Sequence, residues 1–430
     1  MTAKIVKKSD GKIVVEVEID LTAETMLDKE IAIRAAINEA GALGTSEALK
    51  SFDVNGNPII AGDRKYTSKG ENTEKYECPY GRIVVSRHVY QSSTGGKTFC
   101  PLESNARMIL NSTPAYAKMI SSKYSRNAAR DAARDMLESN GRKVCPVYMK
   151  KISDFIGEVA EAKEDEWHYD LPSPGEKVTA VSVGIDGTCM LLCESGWREA
   201  MTGTISLYDE QGERLHTIYT GAFPEYGKAT FLSRFDAELS RVKATFPDSI
   251  YIGLADGAVD NWSFLSPRTD RQVVDFYHVS EYVKLAAAII HPRRKKLADA
   301  WTEEQLHLLK NKHAAAKRLL NELCAEMEKL PIKKRDNLQK VITYFKNHYK
   351  QMNYARQIKD NLPIGSGVTE AACKELIKQR LCNSGMRWKK NGASAVIALR
   401  SLVMTGDRWQ QFWEKISNSG CPSHENFTQS

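Results

Sequence analysis

Three acidic residues in this 430-residue chain stand where they could do chemistry: Asp186 in VSVGIDGT, Asp256 in IYIGLADGA and Glu370 in IGSGVTEAACK. The first two follow short runs of β-branched and apolar residues and are followed at once by glycine. That pattern predicts a carboxylate at the end of a buried strand, facing a cleft. Glu370 falls in the first turn of a helix-like segment, with Ser366 or Gly367 as its cap. Asp, Asp and Glu delivered by strand, strand and helix is the layout of a two-metal phosphoryl-transfer site. Such a site needs hard oxygen ligands converging on two Mg²⁺ ions roughly 3.5–4 Å apart, and Mn²⁺ is an acceptable substitute. Each acid also has a purely structural use. An Asp before Gly makes turns, and a Glu at a helix start complements the helix dipole. Only their joint placement in one topology favours catalysis.

The elements that must position these acids are legible. VTAVSVGID, WREAMTGTISLYDE and RLHTIYTGAF predict three strands. FLSRFDAELSRVKATF predicts an amphipathic helix with Phe231, Phe235, Leu239, Val242 and Phe246 on one face. DSIYIGLAD and RQVVDFYH predict two further strands. The expected fold class is therefore α/β, a ribonuclease-H-like mixed five-stranded sheet built from residues 178–278 and 362–405. Residues 279–361 break the rhythm and predict an all-helical insertion. Leu306, Leu309, Leu320, Leu323, Met327 and Leu330 recur at helical spacing, and Pro331 opens a further helix carrying Leu338, Val341, Ile342 and Phe345.

Upstream, residues 1–110 predict a mixed α+β region. It opens with a strand, KIVVEVEID, then a helix capped by Thr22, then β structure from about Glu74 to Leu102 with SSTGGK as a turn. Residues 111–170 predict helices. RNAARDAARDMLES and PVYMKKISDFIG flank the turn NGRKV, an arrangement open to a DNA-binding helix-turn-helix and equally to any helix pair joined by a Gly-containing turn. HYDLPSPGEK marks the clearest boundary, and 406–430 reads as a C-terminal tail.

Composition excludes several classes. No apolar run approaches the ~18–20 residues of a membrane span, and the N-terminus lacks a signal-peptide core. The nine cysteines form no CxxC pair, which predicts reduced thiols in a cytoplasmic protein. Cys78, His88 and Cys100 offer zinc-ligand types at a spacing unlike known knuckles. The formal charge of +7 is uneven, because residues 279–415 hold 27 Lys+Arg against 13 Asp+Glu, a net +14. A basic half beside an acid-bearing core suits a polyanion, although Lys-rich helices are also common solvated surfaces. GMRWKKNGA gathers Arg387, Trp388, Lys389 and Lys390, cations beside an indole that suit phosphate contact and base stacking. Lys374 and Arg380, on the Glu370 segment, are counted with them as DNA-binding candidates. Trp388 also suits a core position, as do Trp197 and Trp262.

The run GIDGT, GWREAMTGTISLYD, GAFPEYGKATFL, ADGA, NWSFL, DFYHVSEY, GSGVTEAACK, GMRWKKNGA and ALRSL resembles the Kra-type bacterial insertion-sequence transposases, DDE enzymes akin to eukaryotic Mutator-like transposases. The likeness spans about residues 75–405 and is densest in 181–284 and 364–400. It implies a ribonuclease-H-like core with an inserted helical domain, and divalent-metal-dependent DNA cleavage and strand transfer. The family's catalytic and metal-binding acids would fall on Asp186, Asp256 and Glu370, and its [C/D]xxH element on Asp275 and His278. A strand ending in DFYH would put His278 at the site's rim, or leave it capping Asp275 without chemistry; a supporting role near the site is expected. The implied partners are double-stranded DNA, the element's terminal inverted repeats and target DNA. A homodimer or higher oligomer on DNA in the bacterial nucleoid is the implied setting. The rival readings are a ribonuclease-H-like nuclease or resolvase without strand transfer, a DNA-binding protein derived from a transposase, and a helical scaffold for protein partners.

Overall fold

The computed structural model describes residues 2–61, 64–225 and 228–419. Residues 420–430 of the expected tail, and Tyr226 and Gly227 of GAFPEYGKATFL, lie outside the described residues. The chain folds as two compact units. The first comprises residues 2–168, 394–403 and 409–419, and the second Tyr169–Ala393 and Met404–Arg408. No helix among the described residues is long and apolar enough to cross a membrane.

The first unit opens with a hairpin of β1 (Ala3–Ser9) and β2 (Lys12–Val17), so two strands stand where one was predicted. The helix Met26–Lys50 follows, capped by Thr25 and not by Thr22. Thr25 Oγ1 accepts the Asp28 amide at 3.1 Å, whereas Thr22 is held in a turn by Asp20. A four-stranded antiparallel sheet runs β3 (Ile59–Ala61), β4 (Arg64–Glu77), β5 (Arg82–Ser92) and β6 (Thr98–Phe99). Its core holds Leu49, Tyr76, Cys78, Ile83, Val85 and Leu102. Three helices then pack together, Pro114–Arg126, Ala129–Asn140 and Pro146–Ala162. The second ends on Gly141 at φ +66°, a left-handed cap that Gly adopts without strain. Gly157 permits a close helix crossing, since a Cβ there would sit 2.5 Å from the Ala395 Cβ.

The second unit carries a mixed five-stranded sheet in an α/β setting. Its strands are β7 (Ala180–Leu192), β8 (Gly196–Tyr208), β9 (Arg214–Ala222), β10 (Ile250–Ala255) and β11 (Arg271–Val274). They lie in the order β11-β10-β7-β8-β9. The pairs β7–β8 and β8–β9 are antiparallel, and β7–β10 and β10–β11 are parallel. The helix Ala229–Thr245 supplies the crossover to β10 and buries Phe231, Phe235, Leu239 and Val242, as its periodicity required. Gly203 makes that packing possible, for a Cβ there would meet the Phe235 ring at 2.6 Å.

Three local expectations change. Asp186 does not end its strand, because β7 runs six residues further and pairs Asp186 with Thr202 of β8. DFYH is not a strand end either. Asp275 caps the helix Phe276–Ile290, which places His278 in its first turn. Trp262 is buried as expected, but Trp197 is 63% exposed. Trp197 lies beside the turn of the β7–β8 hairpin, where β8 residues 196–199 are all exposed and burial resumes only at Ala200.

The helices between β11 and Glu370 are Phe276–Ile290, Lys295–Asn311, Ala315–Lys329, Ile332–His348 and Tyr354–Lys359. Leu309, Leu319, Leu323, Leu338, Val341, Ile342 and Phe345 belong to the same hydrophobic core as the sheet residues Val181, Ile205 and Leu254.

Candidate active site

Parallel pairing sets the two aspartates side by side. β10 pairs with β7 so that Leu254 faces Gly184. Carried two residues on, that register brings Asp256, the first residue past β10, level with Asp186. The proximity is felt electrically. Burial raises the Asp186 carboxyl above its ordinary value, and the Asp256 charge raises it further; the Cys373 thiol, the Gly187 amide and His278 act in the opposite direction. Asn261 ties the pair together. Its Nδ2 donates to the Ile185 carbonyl at 3.3 Å and lies 3.5 Å from Asp256 Oδ1. Asp256 Oδ1 also accepts the Ala258 amide at 3.0 Å, the turn role that an Asp before Gly suggests.

Glu370 reaches this edge from the helix Gly367–Ala372, with Ser366 as its N-cap residue. The helix lies against the sheet. Thr369 Oγ1 pairs with Thr204 Oγ1 of β8 at 2.7 Å, and Gly184 leaves room for it, since a Cβ at Gly184 would lie 2.0 Å from Thr369 Oγ1. The segment Cys373–Lys378 that follows is π-helical. Its first residue, Cys373, is buried and hydrogen-bonded to Asp186. Burial pushes that thiol up to about 12, and the Asp186 charge adds to the effect. Cys373 is thus a neutral donor that holds Asp186 from the helix bearing Glu370.

Asp275 is a junction. It is 1% exposed. Oδ1 accepts the His278 amide at 2.8 Å, and Oδ2 accepts both the Ser366 amide and, at 2.8 Å, the Ser366 hydroxyl. Ser366 Oγ also lies 3.1 Å from Glu370 Oε1, so its single hydroxyl proton is shared between the two carboxylates. One buried carboxylate therefore caps the His278 helix and fixes the start of the Glu370 helix. His278 Nε2 lies 3.7 Å from Glu370 Oε1.

Asp275, His278 and Glu370 are the described residues whose metal-ligating atoms converge, all within 4.8 Å of one another. The donor chemistry favours a different set for Mg²⁺. Asp275 already accepts three hydrogen bonds, and imidazole is a soft partner for a hard cation. Asp186 and Asp256 offer hard carboxylate oxygens of the kind Mg²⁺ takes, and the charge of Asp256 raises the Asp186 carboxyl; with Glu370 they do not form a converging ligand group among the described residues. Cys78, His88 and Cys100 do not converge as a metal group. His88 Nδ1 is 3.0 Å from Asp53 Oδ2, and Cys78 is fully buried.

Two residues went unforeseen. Cys373 carries no sequence signal as a partner of Asp186. Tyr344, from the helix Ile332–His348, stacks on Tyr282 with ring centroids 3.8 Å apart and donates to the Asp256 carbonyl at 3.2 Å. Gly257, at φ +108°, leaves room for it, as a Cβ there would lie 3.2 Å from the Tyr344 ring.

The expected DNA-binding residues separate. Arg387, Lys389, Lys390 and Lys374 are exposed. Arg380 is not a surface residue, being 3% exposed with its guanidinium 5.0 Å from the centre of the Trp388 ring. Trp388 is half-buried. Its amide donates to the Leu191 carbonyl at 3.2 Å, its carbonyl accepts the Cys193 amide at 3.0 Å, and its indole N–H donates to the Leu381 carbonyl at 2.9 Å.

The chain matches no family model, and it matches no curated protein.

Proposed function

We propose that this chain is a DDE-type transposase with a ribonuclease-H-like core, which cleaves DNA at the ends of an insertion sequence and joins them to a target. The observation that supports this reading is the parallel pairing of β7 with β10, which runs to Leu254 and Gly184 and leads Asp256, just past β10, toward Asp186 of β7, whose carboxyl feels the Asp256 charge. Three antiparallel strands extended by two parallel ones is the sheet that such a core requires.

Asp186, Asp256 and Glu370 would hold Mg²⁺ or Mn²⁺. The bound ions would supply Lewis-acid activation of water and of a 3′-hydroxyl, with charge stabilisation in an in-line displacement. The chain's own residues do the positioning. Asn261 and the Ala258 amide orient Asp256, Cys373 and the Gly187 amide orient Asp186, and Ser366 orients Glu370. His278, 3.7 Å from Glu370, would meet a phosphate oxygen at the rim. The basic stretch 279–415 would track the DNA backbone.

The test is cleavage of duplex DNA bearing the inverted repeats that flank the coding sequence, with Mg²⁺. Asp186→Asn, Asp256→Asn and Glu370→Gln should each abolish cleavage while leaving end binding largely intact, because a neutral amide is a poor Mg²⁺ ligand. Near wild-type cleavage by any one of the three would remove that residue from the site. Strand transfer of the cleaved ends separates a transposase from a nuclease that only hydrolyses.

A further inference from the structure

We infer that a hollow between the β7–β8 hairpin and Trp388 binds one unpaired nucleobase of a DNA strand; this rests on the proposed function and assigns it a substrate subsite. The hollow has a volume of about 370 Å³, with Leu192, Phe223, Pro224 and Trp388 among its walls. That is the size of a small-molecule pocket, suited to a single base and too small for a protein segment. The Trp388 ring is held on three counts, by backbone pairing to Leu191 and Cys193, by its indole N–H on Leu381, and by Arg380 over the ring. Arg380 lies over the ring and is not among the residues that line the hollow, whereas Trp388 is. A fixed indole in a pocket wall is a stacking platform, and stacking tolerates any base.

The charges round the hollow suit a nucleotide. Glu199 is neutralised by Lys228 at 2.8 Å, and Glu225 accepts the Phe231 amide at 2.8 Å. Exposed Arg198, Lys389 and Lys390 remain at the walls against Glu194 and Glu225, a net positive balance poised for the flanking phosphates. One wall of the hollow reaches back toward the acids. A Cβ on Gly187, the neighbour of Asp186, would lie 2.2 Å from Glu199 Oε1 of the wall. Leu192 is six residues along the strand from Asp186, or roughly 20 Å at about 3.3 Å per residue. A strand cut at the acids would bring a nearby base to Trp388.

The experiment uses the full chain in EDTA, so that no cleavage occurs, and a short single-stranded oligodeoxynucleotide carrying one 2-aminopurine. Wild type should quench the probe saturably. Trp388→Leu should lose the quench and bind roughly 5- to 150-fold more weakly, the range expected for one lost base stack. Trp388→Phe should keep part of both. If Trp388→Leu fails to fold by thermal melting, the decision passes to Lys389→Glu with Lys390→Glu, both at exposed positions, which should weaken binding at an unchanged Tm. An undiminished quench in folded Trp388→Leu, or unchanged binding by the lysine double variant, overturns the pocket. Asp186→Asn should quench as wild type does. Cleavage of transposon ends without a Trp388-dependent quench would sink this subsite and spare the proposed function. A Trp388-dependent quench without any cleavage would do the reverse.

Discussion

At the scale of single residues, Asp275 is the most constrained group in the site. Its two oxygens accept from three donors on two different helices. Asp275→Asn keeps the shape but turns an NH₂ toward an N–H or O–H that needs an acceptor, so a buried donor loses its partner. Denaturant unfolding should show a loss of about 1–3 kcal/mol, larger than for Ser366→Ala, which removes only the hydroxyl's bonds. Cleavage should fall in both variants, because Glu370 is oriented through Ser366. Equal stability of Asp275→Asn and wild type would refute the double cap. Asp186 gives a pH signature. Its folded carboxyl is raised from 3.8, chiefly by burial, so the folded state binds the proton more tightly than the unfolded state does. In metal-free buffer its contribution therefore favours folding at low pH and is lost as pH rises from 3.8 through the raised value. Mg²⁺ competes with that same proton, so the rise in Tm on adding Mg²⁺ should grow with pH over this window. Asp186→Asn should weaken that pH dependence, as thermal melts with and without Mg²⁺ would reveal.

At the scale of elements, the turn after Glu370 departs from an ordinary helix. Buried residues recur at Thr369, Cys373, Ile377 and Leu381, and at Ala372, Leu376 and Arg380, a strict spacing of four. An α-helix at 3.6 residues per turn would drift off that face, and a wider π-helical stretch at Cys373–Lys378 restores it. The widening keeps Cys373 on Asp186 while Leu381 still reaches the Trp388 indole. Cys373→Ala should fold and retain DNA binding but cleave several-fold more slowly, with Cys373→Ser recovering part of the rate through its hydroxyl donor. Identical rates for the Ala and Ser variants would show that the thiol only fills space.

At the scale of the whole molecule, the proposed function gives the basic stretch and the helices after β11 two separate tasks, binding DNA and completing the core. With net +14 over residues 279–415, DNA binding should weaken by about 0.9 log units per neutralised phosphate for each tenfold rise in salt. Filter or anisotropy binding between about 50 and 200 mM salt would show it, and a flat response would contradict a phosphate-tracking surface. Removal of residues 279–361 should do more than cripple binding. Leu338, Val341 and Phe345 share the sheet's own core, and Tyr344 holds the Asp256 loop. The shortened chain should be insoluble or molten by near-UV circular dichroism, and a native sheet in it would show that the helices are dispensable.

The sequence by itself determined the five strands, their crossover helix and the helical stretch after β11, because each is written in local periodicity and turn chemistry. β-branched runs, a Phe-Phe-Leu-Val face and a Ser cap before Glu370 act over a few residues and need no distant partner. What only the tertiary structure decided are the couplings between residues far apart in the chain. Asp275 to Ser366 spans 91 positions and Tyr344 to Asp256 spans 88. Thr204 to Thr369 spans 165. The continuation of β7 past Asp186 was likewise hidden, since a strand's length depends on the partner that pairs with it, here β8 through Leu192. Arg380 reads in sequence as one more cation for DNA; its burial against Trp388 appears only in the folded chain. Local sequence sets backbone preference, but which polar groups meet in a closed core is fixed only when every buried donor must find an acceptor.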